Sequence, residues 1–326
     1  MDGKITFEEH FMLEGSFSQE LDRFSVPGMA EDLGRRLLDL HGTRISEMDQ
    51  FGIELAILSF NAPGIQAIPD TKEAIERAHE ANDYLAEEVA KRPDRFAGFA
   101  ALPLQDPEAA IEELRRCVND LGFVGTLVNG FSQIGDLENT TYYDQPEYRP
   151  FWAAVEELDV PFYLHPRNPL PSRQQLYDGH PWFLNSAWAF AMETAMHALR
   201  LMGSGLFDEF PRLKLVLGHL GERIPFDMWR VDHRIKKSPR GIPAKKTISD
   251  YMRENVYLTT SGNFNDPTFH CAIEEVGMER VMFSVDYPFE TTEDAATWFD
   301  NTEMEEADRL RVGRTGAIEL FKLDMD

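Results

Sequence analysis

Short apolar runs alternate with longer amphipathic stretches along the whole chain. Strand-like runs fall at 4–10, 54–60, 96–102, 123–129, 161–166, 214–220, 256–261 and 281–286. Helical spacing follows each, most clearly at 70–91, 107–121, 187–203 and 266–276. The stretch Ala187 to Gly203 keeps its apolar residues on a helical period and stops on a glycine. Strand and helix in strict alternation predict a parallel sheet covered by helices. Eight such units suit a closed (β/α)8 TIM-type barrel. The alternative, an open doubly wound sheet, usually has a glycine-rich turn after its first strand. Here that strand runs into Glu8-Glu9-His10-Phe11-Met12. With no linker or low-complexity tract, residues 1–326 read as one domain. Long connections at 11–33, 130–147 and 167–186 each follow the C-terminal end of a strand, where barrel enzymes build their sites.

Several strands that are apolar inside finish on metal-binding side chains. The first ends in Glu8-Glu9-His10, the fifth in Tyr163-Leu164-His165-Pro166, the sixth in Leu217-Gly218-His219-Leu220-Gly221-Glu222 and the eighth in Phe283-Ser284-Val285-Asp286. Residues two apart on a strand share a face, so Glu8 and His10 point together and Glu9 points away. If that face is the barrel interior, Glu8, His10, His165, His219 and Asp286 converge at one mouth. Taken singly, each has an ordinary explanation, such as a hydrogen-bonded histidine or a helix-capping aspartate. Their coincidence at one end of four strands points to a metal centre, because imidazoles and carboxylates suit zinc or manganese.

Charge narrows the partners. The formal net charge is −25, which argues against nucleic acid and anionic membranes, since both need basic patches. An anionic substrate would need local positive charge from a metal or an arginine. No apolar run is long enough to span a membrane, and Met1-Asp2-Gly3-Lys4 has no signal-peptide pattern. The two cysteines, Cys117 and Cys271, fall inside helical stretches and read as small core residues in a reducing compartment. A soluble cytoplasmic protein is the expectation.

Glu8-x-His10, His165, His219 and Asp286 together resemble the metal framework of the amidohydrolase superfamily. That superfamily usually has His-x-His on the first strand, where this chain has Glu8. The fourth strand, Gly125-Thr126-Leu127-Val128-Asn129, lacks the lysine that bridges two metals in binuclear members. Both departures point to a single ion. The resemblance narrows on Asn129-Gly130-Phe131-Ser132-Gln133, Leu164-His165-Pro166-Arg167-Asn168-Pro169, Leu217-Gly218-His219-Leu220-Gly221-Glu222 and Thr259-Thr260-Ser261-Gly262-Asn263-Phe264. These segments are similar to those of γ-resorcylate (2,6-dihydroxybenzoate) decarboxylases. Related 2,3-dihydroxybenzoate and salicylate decarboxylases share many of them but often lack the counterpart of His10.

The resemblance implies roles for individual residues. Glu8, His10, His165 and Asp286 would bind one divalent ion, Mn2+ or Zn2+, with no organic cofactor. His219 and Glu222 would form a proton-handling pair, and Asp286 would act as the acid that protonates the ring. Asn129 and Arg230 would hold the oxygens of a small aromatic carboxylate, while Phe24 and Phe289 would pack on its ring. The resemblance also implies a homotetramer of paired dimers. Two rival readings remain at this level: a metal-dependent hydrolase of an ester, lactone or amide, and an inactive barrel used for binding.

Overall fold

The computed structural model describes residues 1–15 and 28–325. Eight parallel strands lie side by side in chain order: β1 (Lys4–Phe11), β2 (Ile53–Phe60), β3 (Phe96–Ala100), β4 (Gly125–Asn129), β5 (Phe162–His165), β6 (Leu215–Leu217), β7 (Val256–Thr259) and β8 (Val281–Met282). The ends of this sheet meet. His10 N donates to Tyr287 O at 2.8 Å and Asp286 N donates to Glu8 O at 3.0 Å, joining β1 to the segment just beyond β8. This is the barrel expected from the alternation of elements.

The connecting helices start where the sequence supplies caps. Asp70 accepts from Glu73 N to open Thr71–Lys91, and Asp106 followed by Pro107 opens Pro107–Asn119. Asn265 opens Asp266–Val276 in the same way. Among the described residues, no helix is long and apolar enough to cross a membrane.

The barrel interior is a separate apolar cluster. Ile5, Phe7, Leu55, Ile57, Phe99, Leu127, Tyr163, Val216 and Met282 meet Ala317, Leu320 and Phe321 of the last helix, Gly316–Phe321. Phe321 packs on Phe7 at 4.8 Å and on Phe99 at 5.4 Å between ring centroids. The C-terminal helix therefore closes one mouth of the barrel. At the other mouth the same interior rows continue as polar residues: Ile57 leads to Ser59, Leu127 to Asn129, Tyr163 to His165, and Met282 to Ser284 and Asp286.

Two strands stop earlier than expected. The stretch 214–220 is extended only over Leu215–Leu217, and 281–286 only over Val281–Met282. After β6 the backbone enters the left-handed region, where His219, Leu220, Gly221, Glu222 and Arg223 all have positive φ; after β8, Phe283 N donates to Val312 O and Ser284 N to Thr260 Oγ1 instead of to a strand, and Asp286 then takes φ 79°. Four of the five residues in the first run are not glycine, and each left-handed non-glycine residue costs roughly 1–2 kcal/mol. Strain of this kind persists where packing over-determines it, often at a functional site. The long connections are partly ordered. Residues 130–147 hold a two-stranded ribbon, Ser132–Gln133 with Thr140–Thr141, and 167–186 are mostly short 3-10 turns. Most of 11–33 lies outside the described residues, although Met29–Leu38 is helical at its end.

Candidate metal centre

Glu8, His10, His165 and Asp286 each offer one ligand atom, and those atoms all lie within 4.8 Å of one another. His10 Nε2 is 3.2 Å from Asp286 Oδ1, and His165 Nε2 is 3.4 Å from Glu8 Oε1. Two ligands of one ion, each about 2.0–2.2 Å from it, stand roughly 3–4.4 Å apart depending on the angle, so both separations suit a shared ion. No other such group occurs among the described residues.

The surroundings fit a cation. One oxygen of Glu8, Oε2, accepts hydrogen bonds from Tyr163, Thr259 and Ser261. The other, Oε1, is buried with no hydrogen-bond partner. An anionic oxygen left bare inside a barrel is costly unless an ion meets it. Burial pushes the Glu8 carboxyl above its ordinary range, although the neighbouring His219 and His10 pull the other way. Burial acts on Asp286 in the same sense, but hydrogen bonds and charge from His10 and His219 hold it below the usual carboxylate range. Burial, and then the charge of His10, keep His165 well below its usual value, so its ring is neutral, as a ligand must be. His10 Nδ1 lies 3.1 Å from Ser59 Oγ. If Nδ1 carries the proton and donates it there, Nε2 is free to face the ion.

His219 sits beside this set. Its Nε2 is 3.6 Å from Asp286 Oδ2 and 3.8 Å from Glu8 Oε1, while Nδ1 is 2.8 Å from Glu222 Oε1. Desolvation opposes protonation of this ring, but the carboxylates of Glu222 and Glu8 outweigh it and raise its pKa well above the usual histidine value. The left-handed run places His219 and Glu222 face to face. It needs Gly262 close by, where a Cβ would come within 2.9 Å of His219 Cδ2. Gly218 is equally constrained, since a Cβ there would lie 2.8 Å from Glu8 Oε2. A 760 Å³ cavity opens beside His219 and Glu222, lined in part by Trp188, Phe226, Asn263 and the half-exposed Cys271. Cys271 is therefore not a core residue, unlike the buried Cys117.

The four residues expected to hold substrate are placed unequally. Asn129 is buried at the end of β4; its Nδ2 donates to Phe60 O at 3.3 Å and its Oδ1 has no partner. Phe289 follows Asp286 and packs edge-on against the His10 ring at 5.7 Å. Arg230 stands exposed on the helix Ile224–Lys237, near Phe226 and Trp229, and does not line the cavity at His219. Phe24 lies outside the described residues.

Several residues that shape the site went unread in the sequence. Tyr163, Thr259 and Ser261 set the Glu8 carboxylate, and Ser59 sets His10. The available signal was polarity on interior strand positions, as with Tyr163 two residues before His165. Glu290 is another: burial and the charge of Asp286 push its carboxyl up to about 7.

Comparison with known proteins agrees with this geometry. A family model described as Amidohydrolase matches residues 34–323. The γ-resorcylate decarboxylase of Rhizobium sp. (strain MTP-10005) is 60% identical over 328 residues, covering 99% of both chains. A crystal structure of 2,6-dihydroxybenzoate decarboxylase complexed with 2,6-dihydroxybenzoate superimposes with TM-score 0.96 at 59% identity, over 99% of this chain and 100% of that one. A dihydroxybenzoic acid decarboxylase from Polaromonas sp. JS666, with bound manganese and the inhibitor 2-nitroresorcinol, gives TM-score 0.97 at 55% identity, over 100% of this chain and 98% of that one.

Proposed function

The chain belongs to the amidohydrolase family, and from that premise we propose that it is a metal-dependent lyase that decarboxylates 2,6-dihydroxybenzoate (γ-resorcylate) to resorcinol and CO2. The observation that carries this reading is the four-donor set Glu8, His10, His165 and Asp286 in a chain 60% identical to a γ-resorcylate decarboxylase. Manganese is the ion we assign, since it occupies the solved Polaromonas relative. Held by Glu8, His10, His165 and Asp286, the ion would supply the positive charge that attracts an anionic, hydroxylated benzoate and offsets the repulsion of an acidic protein.

The remaining work falls to side chains. Asn129 Oδ1, buried and unpartnered, is available to a substrate hydroxyl, and Phe289 supplies an apolar edge for the ring. Asp286 is held as an anion, so it has no proton of its own to give. The ortho hydroxyl supplies one. It passes to Asp286, directly or through the His219–Glu222 pair, and the resulting phenolate pushes electron density to the carboxyl-bearing carbon. Asp286 then protonates that carbon, and the ring briefly loses its aromaticity. The bond to the carboxyl group breaks, CO2 departs, and its bonding electrons restore the aromatic ring. The phenolate regains a proton from water on release, so the balance is one carboxylate and one proton giving resorcinol and CO2.

We also propose that the chain self-associates as a homotetramer. Phe226 is 83% exposed and Trp229 70%, three residues apart on the helix Ile224–Lys237, an apolar face that a second copy of the chain would cover. Arg230 shares that face, so its assignment to a substrate oxygen stands or falls with what covers the helix. Light scattering on the purified chain measures the oligomer.

Product analysis tests the activity. Metal-loaded protein given 2,6-dihydroxybenzoate should release equal amounts of CO2 and resorcinol. Turnover of esters, lactones or amides, with none of the benzoate, would instead indicate a hydrolase.

A further inference from the structure

β1 changes the face it turns to the barrel interior part-way along its length. Ile5 and Phe7 belong to the interior cluster. An unbroken two-residue period would next turn Glu9 inward and leave Glu8 in the barrel wall. Pairing with β2 shows why this does not happen. From Thr6 to Glu9 the chain advances three residues, while its partners advance two, from Ala56 to Leu58. The extra residue is a β-bulge, and it brings Glu8 inward directly after Phe7.

Consecutive strand amides normally point to opposite sides, yet Phe7 N and Glu8 N both donate to Ser284 Oγ, at 3.0 and 2.8 Å. The same Oγ donates to Glu9 Oε1 at 3.2 Å, and that oxygen also accepts from Val285 N at 3.1 Å. A serine hydroxyl has two lone pairs and one hydrogen, and here all three are used. Ser284, Phe7 and Glu8 are wholly buried, so no solvent can replace these bonds.

We propose that Ser284 is a positioning residue for the metal centre: it pins the bulge that turns Glu8 into the barrel. This rests on the reading of Glu8 as a metal ligand. Without the hydroxyl, two adjacent buried amides lose their acceptor, and the alternative register offers Glu9 to the interior in place of Glu8.

The test is manganese titration of chelator-stripped full-length protein, read by calorimetry and by the electron paramagnetic resonance spectrum of bound manganese. Ser284→Ala should weaken manganese binding about 10–100-fold, the usual effect of removing a group that orients a ligand. Ser284→Cys keeps the size but offers a poor acceptor, so it should weaken binding similarly even if the alanine variant folds badly. Ser284→Thr, which keeps the hydroxyl, should recover most of the affinity. Thr126→Val is the control: it removes another wholly buried hydroxyl, which donates to Ala100 O at 2.7 Å, and should lower the melting temperature without changing manganese binding. Wild-type affinity and spectrum in the Ala and Cys variants would overturn the proposal, and so would equal loss in Thr126→Val. Wild-type protein that bound no manganese would overturn the metal reading itself, and this inference with it.

Discussion

His219 Nδ1 lies 2.8 Å from Glu222 Oε1, across a turn in which every residue from His219 to Arg223 has positive φ. The chain accepts a strained backbone to set this pair beside Asp286. Glu222→Gln keeps the shape and removes the charge. It should lower kcat by about 10²-fold or more, within the range for lost proton transfer, while KM and manganese content change little. Steady-state kinetics with elemental analysis checks this; unchanged kcat would remove the pair from the proton path.

In the proposed reaction Asp286 carries two duties, as ligand and as proton carrier. Asp286→Asn should abolish measurable turnover while the barrel stays folded, because an amide neither delivers a proton nor matches the carboxylate charge. The informative sample is a variant shown by elemental analysis to hold manganese. Near-wild-type activity in that sample would exclude Asp286 as the acid.

The metal centre should hold one ion per chain, since the described residues provide one donor set and β4 ends on Asn129 rather than a lysine. Removing it should abolish activity and lower the melting temperature, and manganese at 100 times its Kd should restore about 2.7 kcal/mol of stability. Metal analysis and calorimetry measure both. Two ions per active chain, or full activity with none, would contradict the proposed centre.

Acid sensitivity should come in part from His197, far along the chain from the ligands. Burial, reinforced by the positive charge of Arg200, lowers its pKa from 6.5 to about 3. The unfolded chain therefore binds a proton below pH 6.5 that the folded chain refuses, so stability falls as pH drops from there toward 3. The slope is about 1.4 kcal/mol per pH unit, or roughly 2 kcal/mol between pH 6.5 and 5. His197→Gln should remove that share. Urea unfolding at pH 7 and pH 5 should show the gap between wild type and variant shifting by about this amount in the variant's favour. A gap independent of pH would mean that His197 is not held neutral.

Much of this was legible in the sequence because strands and helices have different periods. The barrel followed from eight alternations, and the ligands from polar residues at strand ends. Less visible were features that break a period. β6 gives way to left-handed backbone from His219, and β8 ends where Phe283 N turns to Val312 O and Ser284 N to Thr260 Oγ1, neither of which residue type announces. Glu8 and His10 do share a face, but the apolar residues before them, Ile5 and Phe7, would have put Glu9 inside without the bulge. The setting of Glu8 by Tyr163, Thr259 and Ser261 joins residues from three strands, and no local pattern in the sequence links them.

The central claim is that the metal centre acts on a carboxylate flanked by an ortho hydroxyl, which both binds at the ion and activates the ring carbon. The most direct test is the rate of CO2 release from 2,6-dihydroxybenzoate compared with 4-hydroxybenzoate, on the same manganese-loaded protein. Losing both contributions should cost about 4–6 kcal/mol, so the 4-hydroxy compound should react roughly 10³–10⁴-fold more slowly or not at all. Comparable rates for the two substrates would contradict the claim.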